Sequence, residues 1–257
     1  ANGLVQDADG TIRLVAVDKA TVSGAVDVSG NVGGKIEILG DEVVIADGAN
    51  INASGAIKGG EILIGGDQQG LNPEVKNAIS TTIAKTAQVH ADATGLGDGG
   101  KVIVFASNDV HVHGEVTAIG GSIGGDGGFI ETSGLKQLDI TRIPDASAAT
   151  DESGEKLGEN GEWLIDPNNI TLVNGTGSNI TGNPNFTTQG DGALLDVNLI
   201  ITALNAGNDV TVSTGNAGLD SEDGDIFIFT SINLTLGGPA TLTFNAHDQI
   251  FVDTLSG

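Results

Sequence analysis

Apolar residues alternate with polar ones in short runs, and the runs recur behind a glycine doublet. Gly33-Gly34 leads into Lys35-Ile36-Glu37-Ile38, and the pattern returns at Gly59-Gly60, Gly99-Gly100 and Gly127-Gly128. Looser copies begin at Asp9-Gly10, Asn160-Gly161 and Asp223-Gly224. The second residue after the last glycine reads Ile12, Ile36, Ile62, Val102, Ile130, Trp163 and Ile226, and the fourth reads Leu14, Ile38, Ile64, Val104, Thr132, Ile165 and Ile228. The residue between the glycine and the first of these columns is mostly polar. That alternation is the mark of a strand with one buried face.

The register runs on past the first strand. Ala20 and Val22, Val44 and Ala46, Val110 and Val112, Leu138 and Ile140, and Leu234 and Leu236 stand ten and twelve residues after the glycine. A third strand is predicted through Val26 and Val28, Ile51 and Ala53, Val116 and Ala118, and Leu242 and Phe244. Gly24, Gly48, Gly114 and Gly238 mark corners between the second and third strands, where glycine accepts positive φ. A strand-based period of 24 to 28 residues with three short strands per coil predicts an all-β parallel β-helix, a solenoid. Stacking places Lys35, Glu61 and Lys101 in one outward column of alternating charge.

Two intervals are too long. Gly60 to Gly100 holds 40 residues, and its surplus is read as an insertion over residues 67–85. Gly161 to Gly224 holds 63, with an insertion over residues 174–207. Inside the second, Leu194, Val197, Ile201 and Leu204 predict a short helix over 193–206, with Asp191 as N-cap and Gly207 as its stop. Both insertions are expected to project from the rod and to be presented for attachment, with the contacts on the second. The 257 residues read as a single β-helical segment of a longer protein.

Composition narrows the function. With 41 glycines, seven Phe, one Trp and no Tyr, the core is narrow and aliphatic. No Cys is present, which excludes disulfides and thiolate chemistry. No apolar run is long enough to span a membrane, so no membrane insertion is expected. A net charge of −24 with ten basic residues argues against nucleic acid and is read as solubility rather than a calcium requirement.

The strings Gly59-Gly-Glu-Ile-Leu-Ile-Gly-Gly-Asp67, Gly99-Gly-Lys-Val-Ile-Val-Phe105, Gly127-Gly-Phe-Ile-Glu-Thr-Ser-Gly134 and Trp163-Leu-Ile-Asp-Pro-Asn-Asn-Ile170, in that order, carry a resemblance. They resemble the two-partner-secretion exoproteins of Gram-negative bacteria, of the filamentous-haemagglutinin and high-molecular-weight adhesin type, over roughly residues 30 to 215. The resemblance implies a right-handed parallel β-helix beyond the secretion domain, export through an outer-membrane two-partner-secretion transporter, and display or release at the bacterial surface. It implies a virulence-associated adhesin segment attaching to host-cell glycans or protein receptors. The alternatives are a receptor for a soluble host protein such as a haem carrier, and a passive spacer. A monomer without enzymatic activity is expected.

Candidate chemistry is sparse. His111 and His113 share an outward face at metal-capable spacing, yet no third ligand is predicted beside them and His90 falls on a different strand, so they are read as surface histidines; His247 is isolated. Asp220, Glu222, Asp223 and Asp225 crowd one turn without an EF-hand pattern, and Gly121 to Gly128 lacks the tandem copies of a calcium-binding glycine repeat. Glycoside hydrolysis needs paired carboxylates. The outer column offers Glu37 and Glu131, but Leu63 and Ile103 lie between them, Arg13 and Arg142 are far apart, and Phe105, Phe129, Phe227 and Phe229 are read as packing residues. Asn52, Asn169, Asn174, Asn179, Asn185 and Asn233 begin Asn-x-Ser/Thr strings and are read as unmodified. Pro167, unable to donate to a ladder, ends a strand at Ile165. No residue is assigned as catalytic, cofactor-binding or metal-ligating.

Overall fold

The computed structural model describes the backbone of residues 4–6, and residues 10–175, 192–215, 223–233 and 238–253. The chain is an all-β parallel solenoid. Its first sheet has nine strands, running from Leu4–Gln6 and Thr11–Val15 through Lys35–Leu39, Glu61–Ile64, Lys101–Ala106, Phe129–Gly134, Glu162–Ile165 and Asp209–Ser213 to Leu242–Asn245. All neighbours are parallel except Leu4–Gln6, which lies antiparallel along Thr11–Val15. A second sheet stacks Lys19–Val22, Glu42–Ile45, Ser80–Ile83, Asp109–Val112 and Gln137–Ile140. A third stacks Ala25–Asp27, Asn50–Asn52, Gln88–His90 and Glu115–Thr117.

The first apolar column is real as far as Trp163: Ile12, Ile36, Ile62, Val102, Ile130 and Trp163 lie side by side in register and are buried. The polar intruder in the second column, Thr132, accepts a hydrogen bond at 2.9 Å from Nε1 of Trp163. An inward hydroxyl and the single indole thereby satisfy each other.

The glycine doublets serve a different purpose from positive φ. None of Gly33, Gly34, Gly59, Gly60, Gly99, Gly100, Gly127, Gly128 or Gly161 has it. Instead the backbones of successive coils touch there. A Cβ on Gly60 would lie 2.1 Å from the Gly34 carbonyl oxygen, and one on Gly100 would lie 2.1 Å from that of Gly60.

Four expectations need correction. In the coil of Lys35, Val43 and Ile45 point inward rather than Val44 and Ala46, because the corner before them is one residue shorter. Ile226–Ile228 is not a seventh first-sheet strand. It pairs with Ile170–Val173 and Ile250–Val252 in a separate sheet, while Val210 stands beside Trp163 and Leu242 beside Val210. Two turns thus occupy the stretch read as one, and Leu242 and Phe244 belong to the first sheet, not a third strand. The glycine alignment missed Asp209–Ser213 because buried Asn208 stands where the second glycine is expected. Its amide accepts from Ala146 N at 2.6 Å and donates to Ala203 O at 3.0 Å. Leu234 and Leu236 lie outside the described residues.

The described parts of both insertions are also built into the stack rather than projecting from it, and residues 176–191 lie outside the described residues. Ser80–Ile83 is a regular strand between Glu42–Ile45 and Asp109–Val112, so the first excursion ends near Ile79. In the second, Ala193–Asp196 pairs with Ile170–Val173, and the helix occupies Val197–Asn205. Its N-cap is Asp196, accepting from Asn198 N at 3.0 Å; the predicted cap Asp191 lies outside the described residues. Gly207, at φ +96, stands just beyond the helix end as predicted. Ile200, Ala203 and Leu204 join the main core. The helix is a plug in the stack. No helix among the described residues is long and apolar enough to cross a membrane.

Candidate functional site

The first sheet has a second face, and half of it is covered. Leu63 and Ile103, in the outer column, and Phe105, on the same face, are buried and form a small apolar cluster with half-buried Phe129 and Leu135. The first excursion folds back over this face. Asp67 starts a single 3₁₀ turn, Gln68–Gly70, by accepting from Gln68 N at 2.7 Å. Asn72 Nδ2 donates to the other Asp67 oxygen at 2.8 Å, and Lys101 Nζ lies 3.8 Å from the carboxylate. Lys76 ties the far side of the excursion to Asp41 at 2.8 Å. Gln69, the sole non-glycine residue with positive φ among those described, sits at φ 54. That conformation turns its backbone N–H onto both Glu131 oxygens, at 3.0 and 3.1 Å, while its side-chain Nε2 donates to Asp166 Oδ2 at 2.8 Å.

Glu131 is fully enclosed and Asp166 nearly so, with Asp166 Oδ1 left without a hydrogen-bond partner. Burial pushes the Glu131 carboxyl up to about 7; the Asp166 charge adds to the rise, and the Gln69 amide and Lys101 oppose it. Burial raises Asp166 as well. Paired carboxyls are what general acid–base chemistry uses, but both of these are buried and capped by Gln69. Glu37, the other outer carboxylate, is held by Arg13 and by Lys35 at 3.1 Å, and these cations keep its carboxyl below the usual range despite burial.

Beside the covered patch an open groove follows the glycine doublets along the stack. It spans about 840 Å³ and is bordered by Lys35, Lys58, Glu61, Lys101, Phe129 and Glu162. The predicted ladder forms its rim: Glu61 lies 2.9 Å from Lys35 and 3.7 Å from Lys101. Three of the chain's ten cations converge here. Because no side chain can cover the doublets, the floor is bare backbone.

The histidines gain a neighbour that was not expected. Asp139 stands opposite His111 in the second sheet, and donor atoms of His111, His113 and Asp139 all lie within 4.8 Å of one another. The missing third ligand was visible in principle, since Asp139 follows Gly128 at the same offset as His111 follows Gly100. His90 is apart from them, in the third sheet, bonded to Thr117 at 2.8 Å. His247 is exposed.

The remaining candidates divide simply. Asp220 and Glu222 lie outside the described residues, and Asp225 Oδ1 accepts from Gln249 N at 3.3 Å. Gly121 to Gly128 forms a coil corner bonded back to Gly95, Gly97 and Ala118. Asn52 and Asn169 are engaged in turns, Asn52 with Ser54 N and Asn169 with Gly224 N and Asp225 N. Asn174 and Asn233 are exposed, and Asn179 and Asn185 lie outside the described residues. The strand before Pro167 ends at Ile165, as expected. Phe105 and Phe129 pack on the outer cluster, while Phe227, Phe229 and Phe251 form a ring cluster with centroids 5.9 to 6.4 Å apart. No protein-family model and no curated protein sequence matches this chain.

Proposed function

We propose that this chain is the rod segment of a secreted, surface-displayed adhesin, exported through an outer-membrane partner and attaching to host glycans along the doublet groove. The observation that carries the reading is the groove itself. It is open and lengthwise, and it offers bare backbone flanked by alternating Lys and Glu side chains. An extended, hydroxyl-rich polymer can satisfy such a track at each coil, whereas a compact ligand would leave most of it empty. The rigidity that presentation needs comes from nine strands in continuous pairing. The resemblance to two-partner-secretion exoproteins supports export and display. Contact through the excursions is less favoured, because their described parts are built into the stack.

The test is binding of the purified chain to glycan arrays and epithelial cells. Three proteins are compared: wild type, Lys58→Glu/Lys101→Ala, and a variant with residues 176–191 replaced by a short Gly-Ser linker. Loss of binding in the first variant is the expected result. Loss only with the linker moves the contact to that excursion. Absence of binding by wild type leaves the chain a spacer and defeats the proposal.

A further inference from the structure

We propose that His111, His113 and Asp139 form a binding site for a first-row transition-metal dication of the zinc type, with a coordination position left open to solvent. The period-two spacing puts both imidazoles on one side of the backbone, His111 in the strand Asp109–Val112 and His113 just beyond it. The rings lie nearly parallel, 10° apart, with centroids 6.2 Å from each other. The next coil supplies Asp139 directly opposite His111.

The Asp139 distances fit a metal site as well as an ion pair. Asp139 Oδ2 is 3.6 Å from His111 Nδ1 and 3.4 Å from His113 Nε2. Both exceed the 2.7–3.2 Å of a normal hydrogen bond. Both are close to the edge of a tetrahedron around zinc, where bonds of about 2.0–2.1 Å separate the donors by about 3.3–3.4 Å. The outer shell agrees. His113 Nδ1 is hydrogen-bonded to Thr141 Oγ1 at 2.8 Å; when Nδ1–H donates there, the ring is fixed and the Nε2 lone pair faces Asp139, as in metal-ligating histidines generally. Two imidazoles and one carboxylate suit zinc, cobalt, nickel or copper, whereas calcium and magnesium prefer all-oxygen shells. All three side chains are half-buried, at 27 to 35 % exposure, so an ion can enter and a fourth ligand can reach it. The ion would join two successive coils.

Net charge of −24 attracts dications everywhere, so the test must separate this site from the general surface. The metal-free full chain is titrated with Co²⁺ and Zn²⁺ against a large excess of Ca²⁺. The expected result is one Co²⁺ per chain with the visible d–d bands of low-coordinate cobalt, bands that zinc removes, calcium leaves, and azide shifts by entering the open position. His113→Ala and Asp139→Asn should each weaken Zn²⁺ binding at least tenfold without changing the metal-free melting temperature. Thr141→Val should weaken it by about tenfold as an outer-shell loss. Equal binding by wild type and His111→Ala/His113→Ala would place the metal on surface carboxylates and overturn the proposal. Absence of cobalt bands in wild type would overturn it as well.

Discussion

The two faces of the first sheet are built from the same strands yet solve different problems. The inner face repeats one solution along the stack, aliphatic columns interrupted by the Thr132–Trp163 pair and by Phe244 in the last strand. The outer face changes character along the stack. At Lys35, Glu61 and Lys101 it is a charge ladder beside a solvent groove. At Leu63, Ile103, Phe105 and Glu131 it is a second, smaller core roofed by a single excursion. A repeat therefore dictates the side it shares with every coil and leaves the other side to be decided locally.

The comparison is broken most directly by Ile103→Ala. Were the outer face merely solvated, the change would lie within about 0.5 kcal/mol. As a buried side chain beneath the excursion, Ile103 should cost about 2–4 kcal/mol on truncation, read as a lower urea midpoint at unchanged m-value.

Glu131→Gln sharpens it through pH. An unfolded glutamate titrates near 4.3, and folded Glu131 at about 7. Between those values the folded chain holds the extra proton, so this group's contribution to stability is complete below about pH 4. It is lost as pH rises through about 7. The gap corresponds to about 4 kcal/mol at most. Gln keeps the neutral form throughout, so the variant should match wild type at pH 4 and exceed it by up to about 4 kcal/mol at pH 8. Parallel urea-midpoint profiles for the two proteins would remove Glu131 from the account. Asp166, raised in the same direction, leaves a residual slope of the same sign in the variant.

The smallest effect belongs to the ladder. Glu61→Gln should cost a few tenths of a kcal/mol, up to about 1, and the difference should vanish in 0.5 M salt. A large, salt-independent loss would mean that the rim holds the coils together rather than setting their register.

The inner face was legible because Ile12, Ile36, Ile62, Val102, Ile130 and Trp163 obey one spacing. Legibility ended where a coil reached the same geometry by other means. Asn208 replaces a glycine by bonding to Ala146 and Ala203, and a shortened corner shifts Val43 and Ile45 by one place. Asp139 was readable from its offset but required the second strands of adjacent coils to be compared with each other, not only within each coil. Gln69 was not readable at all. It occurs once, in a segment outside the repeat, and its partners Glu131 and Asp166 follow it by 62 and 97 residues.

That reach has a consequence for how the rod comes apart. A solenoid whose coils bond only to their neighbours unfolds like a one-dimensional chain of weakly coupled units, free to fray from either end. Gln69 leaves the coil of Glu61, passes over that of Lys101, and grips the two beyond. These four coils thus share a coupling that skips nearest neighbours, so none of the four can melt alone without breaking it. Fraying that advances coil by coil from either end should stop at this block, which then opens as one cooperative unit.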